Sequence, residues 1–581
     1  MVTAQINTMS SARQRCVSIL ALVCAFVSVS ARAAALPQNV WAEHQIDAMS
    51  SEQQVAQLLI VGFDGTVAGH DLKRMIKKWG VGGVVLYKRN IRSASQTRDL
   101  TRAIKTLAGH RTMPFVAVDH EGGTVQRLKS GVALLPGNMA LGAAGSPALA
   151  RRAGASVGRG LRNLGFTMNF APVLDVYSNP ASAIGTRSFG DSPAAVGALG
   201  VAFIEGQSAQ HVLSVAKHFV GEGAAAGDSH EMTPWVRSTA AELEARDVVP
   251  FRMAMASGLA AIMTSHAAAP ALTEEGGAPM TLSTRVITDL LRTRLGFRGL
   301  VITDALEMES VARLHDPGEL ALEAIDAGAD VILAIGTQQD RDAIFARLCE
   351  ARRTKRLPAA RVRASLRRIL AAKAGLLDPA TATAGPDDAT IATEIAEASL
   401  TIVAGDAGLA NLRAYARRDL FYIGPDETLA ARLSIRGASI GTLGMMPDVI
   451  RRAKEIAGMA GGAPIIVAAF ANPRQAMVVD AVSARLPAAR LVAVSLGNPH
   501  DAALIHGAAV VVAAYSTTPA AQQSVGRLLQ GDLVARGRLP IAMPAASPAG
   551  EGRQTPGGLL RAGCASSEEN FDVEREERWR E

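Results

Sequence analysis

Eight short apolar segments between about residue 55 and residue 336 constrain the fold more than any other feature of the sequence. Each is bounded by glycine or polar residues and is separated from the next by an amphipathic stretch of helical period. Such runs indicate buried strands, and their alternation with helical stretches indicates repeated βα units. Eight units predict an α/β fold built on a closed (β/α)8 barrel of the TIM type. The predicted strands are Leu58–Phe63, Gly83–Tyr87, Phe115–Asp119, Thr167–Ala171, Ser214–Phe219, Ala261–His266, Leu300–Asp304 and Asp330–Ile335.

Polar residues stand at the carboxyl ends of several of these predicted strands. Asp119, Lys217, His218 and Asp304 each lie at or just past the end of an apolar run. In a barrel of parallel strands this end carries the active site. The sequence therefore places its candidate chemistry on one face of the barrel.

A second domain is predicted after the barrel. A basic helix from about Ala359 to Ala374 closes a barrel domain assigned to residues 34–377, and residues 378–390 have the composition of a linker. Residues 391–545 again alternate apolar runs with helical segments, which predicts a smaller α/β sandwich with a mostly parallel sheet. Residues 546–581 are predicted to be a disordered tail. The five predicted strands are Leu400–Ala404, Leu420–Ile423, Pro464–Ala469, Leu491–Leu496 and Ala509–Ala514.

The amino terminus has the pattern of an export signal. Arg13 and Arg15 precede an apolar run from Cys16 to Val29, and Ala31-Arg32-Ala33 forms a small-residue cleavage site. The run is shorter than the roughly 20 residues that a membrane-spanning helix needs. We therefore expect residues 1–33 to be a signal peptide and the mature protein to be periplasmic or secreted, without a membrane span.

Charge and composition narrow the set of partners. The formal net charge is +7, but the basic residues are scattered among acidic ones, which argues against a nucleic-acid partner. Histidine, cysteine and acidic residues show no spacing typical of a metal site, and the second domain has no glycine-rich nucleotide motif. We expect no metal and no cofactor. The sequence does not predict the oligomeric state.

The most informative motif runs from Lys217 through His218 to Gly223 and is followed by Asp228-Ser229-His230. A strand here leads into a loop of small residues, which can approach a ligand closely. In an extended Asp-Ser-His segment the side chains of Asp228 and His230 lie on the same side, so the carboxylate can orient the imidazole and stabilise its protonated form. This pair suits general acid/base chemistry near neutral pH.

The motif resembles the K-H-F-P-G-H-G-x4-D-S-H signature of the β-N-acetylglucosaminidase branch of glycoside hydrolase family 3. Five motifs in the order and spacing of that family, and two more in the second domain, carry the resemblance. Besides Lys217–His230 the barrel has Asp119–Arg127, Asn169–Asp175, Ile184–Phe189 and Ile302–Met308, and the second domain has Val494–Pro499 and Gly537–Pro540.

The resemblance implies a retaining, exo-acting hydrolase that releases terminal β-linked N-acetylglucosamine from oligosaccharides such as peptidoglycan or chitin fragments. It assigns Asp304 as the nucleophile and His230 as the acid/base, with Asp228 as its partner. Chemically, a retaining glycosidase needs a carboxylate on one side of the sugar ring and a proton donor on the other. The residues that the resemblance implies hold the terminal sugar are Asp119, Arg127, Arg187, Lys217 and His218.

The sequence departs from the family motif at two positions and leaves other functions open. Val220 replaces proline and Glu222 replaces histidine, and we expect the Glu222 side chain to be solvated. A β-glucosidase or β-xylosidase of the same family typically takes its acid/base from the second domain, so the Asp-Ser-His motif argues against it. A non-catalytic glycan-binding envelope protein is disfavoured because Asp304 and His230 are both present. Phosphorolysis remains an alternative, since a neutral histidine repels phosphate less than a carboxylate does.

Overall fold

A computed structural model describes residues 38–109, 112–228, 232–273, 277–376, 388–405, 412–415, 417–440, 446–487 and 489–543. The predicted signal peptide, most of the predicted linker, the predicted tail and His230 lie outside these residues, so the predictions made for them and for the domain boundaries stay predictions. The helix Gln38–Asp47 belongs to a unit that ends at Ser50. The unit from Ser51 onwards contains both sheets.

Eight parallel strands close into a barrel in the first part of this unit. Strand β1 pairs with β2 on one side through Ile60 and Gly83, and with β10 on the other through Ile60 and Leu333. Each strand lies within or overlaps one of the eight predicted runs, so the predicted TIM barrel is confirmed. The barrel strands are β1 Leu59–Val61, β2 Gly83–Leu86, β3 Phe115–Val118, β6 Met168–Asn169, β7 Leu213–Phe219, β8 Ala261–Thr264, β9 Leu300–Ala305 and β10 Val331–Ala334. A short antiparallel hairpin, β4 His120–Gly122 and β5 Val125–Gln126, follows β3.

Helices surround the barrel, and several begin at a residue that satisfies the first unpaired backbone amides. Ser146 accepts a hydrogen bond from Leu149 N and Ser192 accepts one from Ala195 N, each just before a proline at the first helical position. The α-helices are Ser51–Ala56, His70–Arg74, Ala94–Ala108, Asn138–Ala144, Pro147–Asn163, Pro193–Ser208, Ala240–Ala245, Val248–Ala256, Glu309–Ala312, Pro317–Ala327, Gln338–Arg353 and Ala359–Ala374, and Met75–Trp79 and Arg285–Arg294 are π-helical.

The second domain is a six-stranded sheet between two apolar layers. Alternate residues of its strands enter different cores: Leu420 and Tyr422 belong to one cluster, and Phe421 and Ile423 to the other. The strand order is β11-β16-β15-β14-β12-β13, and only the β11–β16 pair is antiparallel. The predicted sandwich with a mostly parallel sheet is confirmed. Its strands are β11 Thr401–Gly405, β12 Leu420–Gly424, β13 Arg436–Ser439, β14 Ile465–Phe470, β15 Arg490–Ser495 and β16 Ala508–Ala513, and its α-helices are Asp388–Ser399, Thr428–Leu433, Met446–Ala460, Pro473–Ser483 and Pro519–Leu529.

The second domain contacts a barrel loop that runs from Asp175 to Asp191. Asn498 donates a 2.6 Å hydrogen bond to the hydroxyl of Tyr177. At the other end of the loop, Asp191 N donates to the carbonyl oxygen of Pro540 at 3.0 Å, and Asp191 Oδ2 accepts from Ala542 N at 2.6 Å. The second domain therefore holds this barrel loop near both of its ends. In the part of the chain that the structure describes, no helix combines the length and apolarity required to cross a membrane.

A buried carboxylate joins the amino ends of β9 and β10 to the outer helices. Asp330 Oδ2 accepts from Val301 N at 3.1 Å, and Asp330 Oδ1 accepts from Arg368 at 2.7 Å and from Ser365 at 2.6 Å. Arg292 donates to the other oxygen. This network lies at the end of the barrel opposite to the carboxyl ends of the strands, where residues contribute to stability and not to catalysis.

Replacing Asp330 is expected to destabilise the barrel. Asp330→Asn leaves the guanidinium groups of Arg292 and Arg368 without their carboxylate, and removing one partner of a buried ion pair costs about 3–5 kcal/mol. Chemical denaturation should show this loss in the free energy of unfolding. The matched control is Glu455→Gln, which breaks exposed ion pairs with Arg451 and Arg452 and should change stability far less. Equal stability of the two variants would contradict the structural role of Asp330.

Candidate active site

Asp304 lies near the end of β9, at the carboxyl face of the barrel. Its side chain is 18% exposed, and its Oδ1 accepts a 2.8 Å hydrogen bond from Ala305 N. The other oxygen lies 4.0 Å from His218 Nε2. Burial favours the neutral acid, but the neighbouring groups His266, His218 and Lys217 outweigh it and lower the pKa of Asp304 below its ordinary value. The structure thus presents an ionised carboxylate with an accessible oxygen at the face where barrel enzymes react.

A chain of buried charges lies beside Asp304. Lys217 Nζ contacts Asp119 Oδ1 and Glu121 Oε1, both at 2.7 Å. Arg187 donates two hydrogen bonds to Glu121, at 2.8 and 2.9 Å. Burial would raise the pKa of Glu121, but the charges of Arg187 and Lys217 and their hydrogen bonds hold it far below the usual range. Lys217 and Arg187 both contact Glu121, and Asp119 contacts Lys217. The contacts of Glu121 therefore bring together three residues that the sequence predicts to bind the sugar.

His218 is held by Asp175, which follows β6. Asp175 Oδ2 lies 2.7 Å from His218 Nδ1 and also accepts from the backbone nitrogen of His218 at 3.0 Å. Glu222 Oε2 lies 3.5 Å from the same ring nitrogen. Burial would lower the pKa of His218, but the negative charges of Glu222 and Asp175 raise it above its ordinary value. The ring turns its other nitrogen, Nε2, toward Asp304.

Arg127 approaches the site from the hairpin that follows β3. Its guanidinium carbon lies 5.7 Å from the ring centroid of Tyr87, at the end of β2. Burial raises the pKa of Tyr87, and the charges of Asp119, Glu307 and Asp304 raise it further, which places this phenol among the site carboxylates. Arg127 Nε is buried and makes no hydrogen bond within the described residues. Arg127 thus lies beside Tyr87 with a buried donor that no described residue satisfies.

The Asp-Ser-His motif is only partly described. Asp228 is half-buried and follows Gly227, which forms a β-bridge with Ser182. Residues 229–231 lie outside the described residues, so the predicted pairing of Asp228 with His230 and the position of His230 relative to Asp304 stay predictions.

Three acidic residues of the site were not recognised from the sequence. Glu121 and Asp175 lie in motifs that were noted, and Glu121 stands two residues after Asp119, a spacing that puts both side chains on one side of an extended chain. The expectation that Glu222 is solvated is wrong. The residue is only 9% exposed, because its short helical turn directs the carboxylate inward, where Ser265 donates to it at 3.0 Å.

The acidic and histidine side chains of this site are of types that can bind a metal ion, which requires a particular arrangement of them. Across the residues described, no group of three or more histidine, cysteine, aspartate or glutamate side chains has the arrangement of a metal site. The charged groups are instead paired with one another, as in the Glu121 and Asp175 contacts. At the carboxyl face of the barrel the site offers the ionised carboxylate of Asp304, the carboxylate of Asp119, and the cationic side chains of Lys217 and Arg187. Such a set can orient a polyhydroxylated ligand over Asp304.

Comparison with known proteins places the chain in a family. A family model described as the glycosyl hydrolase family 3 N-terminal domain matches residues 50–372. Beta-hexosaminidase A of Pseudoalteromonas piscicida is 32% identical over 449 residues, which cover 70% of this chain and 74% of the relative. The beta-hexosaminidase of Chromobacterium violaceum is 36% identical over 274 residues, which cover 46% of this chain and 75% of the relative.

A solved structure extends the likeness to both domains. The family 3 β-N-acetylglucosaminidase of a Paenibacillus species superposes with a TM-score of 0.79 at 31% identity, over 85% of this chain and 99% of that chain. The sandwich therefore follows the barrel in a known member of the family as it does here. The chain belongs to glycosyl hydrolase family 3, in the branch of the β-hexosaminidases and β-N-acetylglucosaminidases.

Proposed function

We propose that this enzyme is a retaining, exo-acting β-N-acetylhexosaminidase that releases terminal β-linked N-acetylglucosamine from oligosaccharides. One observation carries the proposal: Asp304 stands at the carboxyl face of the barrel with one oxygen fixed by a backbone amide and the other 4.0 Å from His218 Nε2. The names of the relatives, beta-hexosaminidase and β-N-acetylglucosaminidase, support the choice of sugar.

In the proposed reaction Asp304 attacks the anomeric carbon and forms a glycosyl-enzyme. His230, oriented by Asp228, protonates the departing oxygen and later deprotonates the incoming water. The lowered pKa of Asp304 supports the nucleophile role, because the attacking group must be ionised at neutral pH. The intact Asp-Ser-His motif supports an acid/base supplied by the barrel.

The terminal sugar is held by the charged groups around Asp304. Asp119 and Lys217 form one polar edge, and Arg187 is fixed by Glu121 so that its position does not depend on the ligand. Arg127 and His218 supply further donors. Charged donors and acceptors in fixed positions orient the ring and discriminate between hydroxyl configurations. We propose peptidoglycan or chitin fragments as the natural substrates.

A panel of chromogenic glycosides tests the specificity. Because the charged groups are proposed to fit N-acetylglucosamine, the β-N-acetylglucosaminide should be cleaved with a much higher kcat/KM than the β-glucoside or the β-xyloside. The rates are compared with and without phosphate, and the product is identified. Preference for the glucoside or xyloside would overturn the sugar assignment, and formation of a sugar 1-phosphate would replace hydrolysis by phosphorolysis.

Removing His230 is expected to affect the two steps differently, because His230 is proposed to act as the acid in the first step and as the base in the second. His230→Ala should damage substrates with poor leaving groups most, since their departing oxygen depends on protonation. A nitrophenyl group leaves with little such help, so its release should show a burst followed by accumulation of the glycosyl-enzyme. Rapid-mix kinetics and intact-protein mass spectrometry measure both effects.

Two control variants complete that experiment. Asp304→Asn cannot form the glycosyl ester and should lose several orders of magnitude on good and poor leaving groups alike. Asp228→Ala should give a weaker form of the His230→Ala pattern. If His230→Ala lowers the rate equally for both kinds of leaving group, His230 binds the substrate without transferring a proton. Near-normal turnover by folded Asp304→Asn would refute the nucleophile assignment.

We also propose that the enzyme acts in the periplasm or outside the cell. The support is the basic, apolar and small-residue pattern of residues 1–33. Sequencing the amino terminus of the protein from its native host should give a mature chain that begins near Ala34. An intact Met1 in a cytoplasmic pool would contradict export and would favour intracellular recycling of wall fragments.

A further inference from the structure

Glu222 is a buried acidic residue in the loop after β7, at the position where the family motif has histidine. Its backbone nitrogen donates to Asp175 Oδ1 at 3.1 Å, and its carbonyl oxygen accepts from Ser182 at 3.0 Å. Ser265, which follows β8, donates to its side-chain Oε2 at 3.0 Å. The loop and the next strand thus fix both the backbone and the carboxylate of Glu222.

The fixed carboxylate faces the imidazole of His218. Glu222 Oε2 lies 3.5 Å from His218 Nδ1, and Asp175 Oδ2 lies 2.7 Å from the same atom. On the far side of the ring, Asp304 Oδ2 lies 4.0 Å from Nε2. Three carboxylates from three different elements therefore surround one buried ring. If Asp175 were the only carboxylate on this edge, a neutral ring with its proton on Nδ1 would satisfy the contact. The second negative charge, from Glu222, stabilises the positive charge of a doubly protonated ring.

Positive groups also face this cluster and limit the effect. The charge of Arg187 opposes protonation of His218, although Arg187 is itself paired with Glu121. Lys217 precedes His218 and is paired with Asp119 and Glu121. Burial lowers the pKa of His218, but the negative charges of Glu222 and Asp175 and the hydrogen bond to Asp175 outweigh it, so the pKa is raised above its ordinary value.

His266 is a second histidine near this ring. Its Nε2 lies 2.9 Å from the carbonyl oxygen of Ala305, directly after Asp304. His266 therefore contacts the backbone beside the nucleophile, whereas His218 contacts carboxylates on both of its edges. The two histidines are thus held by different kinds of partner.

We propose that Glu222 is a positioning residue that acts with Asp175 to keep His218 doubly protonated and directed at Asp304. The protonated ring then donates from Nδ1 to Asp175 and from Nε2 into the sugar site, and its charge stabilises ionised Asp304. The role of Asp304 in this inference rests on the proposed function, whereas the charge state of His218 does not.

Titration of His218 tests the inference without substrate. In protein labelled at the histidine ring carbon, the NMR signal of His218 is assigned by its absence in His218→Gln. Glu222→Gln keeps the size of the side chain and removes its charge, so the titration midpoint of His218 should fall by about one pH unit or more. Glu222→Asp keeps the charge and should largely restore the midpoint. Ser265→Ala removes one donor to the Glu222 carboxylate but keeps its charge, so it should shift the midpoint less than Glu222→Gln does.

Activity supplies a second readout. If His218 must be protonated, the kcat/KM of Glu222→Gln should decline relative to the wild type as pH rises through neutrality, because the ring loses its proton at lower pH. A loss that is uniform across pH would indicate a merely structural role and would overturn the inference. An unchanged His218 midpoint in folded Glu222→Gln would also overturn it, whatever the result for Asp304→Asn.

The family residue provides a further variant should Glu222→Gln not fold. Glu222→His restores the motif that relatives carry and places a potential cation beside the ring. It should lower the His218 midpoint at least as far as Glu222→Gln. A midpoint equal to that of the wild type in Glu222→His contradicts the proposal.

Discussion

The buried ion pairs of Glu121 determine the arrangement of the proposed sugar site. A carboxylate that is 1% exposed is costly unless cations surround it, and breaking such a contact leaves an uncompensated charge. Arg187 and Lys217 come from distant parts of the chain, and both meet Glu121. Lys217 also contacts Asp119, so the ion pair between Lys217 and Glu121 helps to set the position of the Asp119 carboxylate. Three proposed sugar-binding residues thus depend on one acid that contacts no substrate in our proposal.

Two aspartates at opposite ends of the barrel, Asp330 and Asp304, have different surroundings. At the amino ends of β9 and β10, Asp330 accepts hydrogen bonds from Arg292, Arg368 and Ser365 and joins strands to helices. At the carboxyl end of β9, Asp304 accepts one backbone hydrogen bond, and its other oxygen lies 4.0 Å from His218 Nε2. The many donors around Asp330 favour stability, whereas the sparser contacts of Asp304 suit its proposed role as the nucleophile. Strand β9 therefore has a structural contact at one end and the proposed catalytic carboxylate at the other.

The sequence predicted the two sheets well because each central strand is a compact apolar run. It missed β13, Arg436–Ser439, because this edge strand has only one buried apolar residue, Ala438. It found the residues at the strand ends by their motifs but not the carboxylates that hold them. The partners of Glu121 and Glu222 depend on how distant loops meet, which no spacing along the chain reveals. Burial of Glu222 in particular follows from Gly221, whose positive φ of 93° turns the loop inward.

The contacts of Asn498 with Tyr177 and of Pro540 and Ala542 with Asp191 fall on the barrel loop that also carries Asp175 and Arg187. The second domain therefore restrains the backbone from which Arg187 extends, while Glu121 fixes the guanidinium itself. A loop that is already ordered on folding has little conformational entropy left to lose when a ligand binds. A domain without any assigned chemistry can in this way pre-organise a loop of its neighbour.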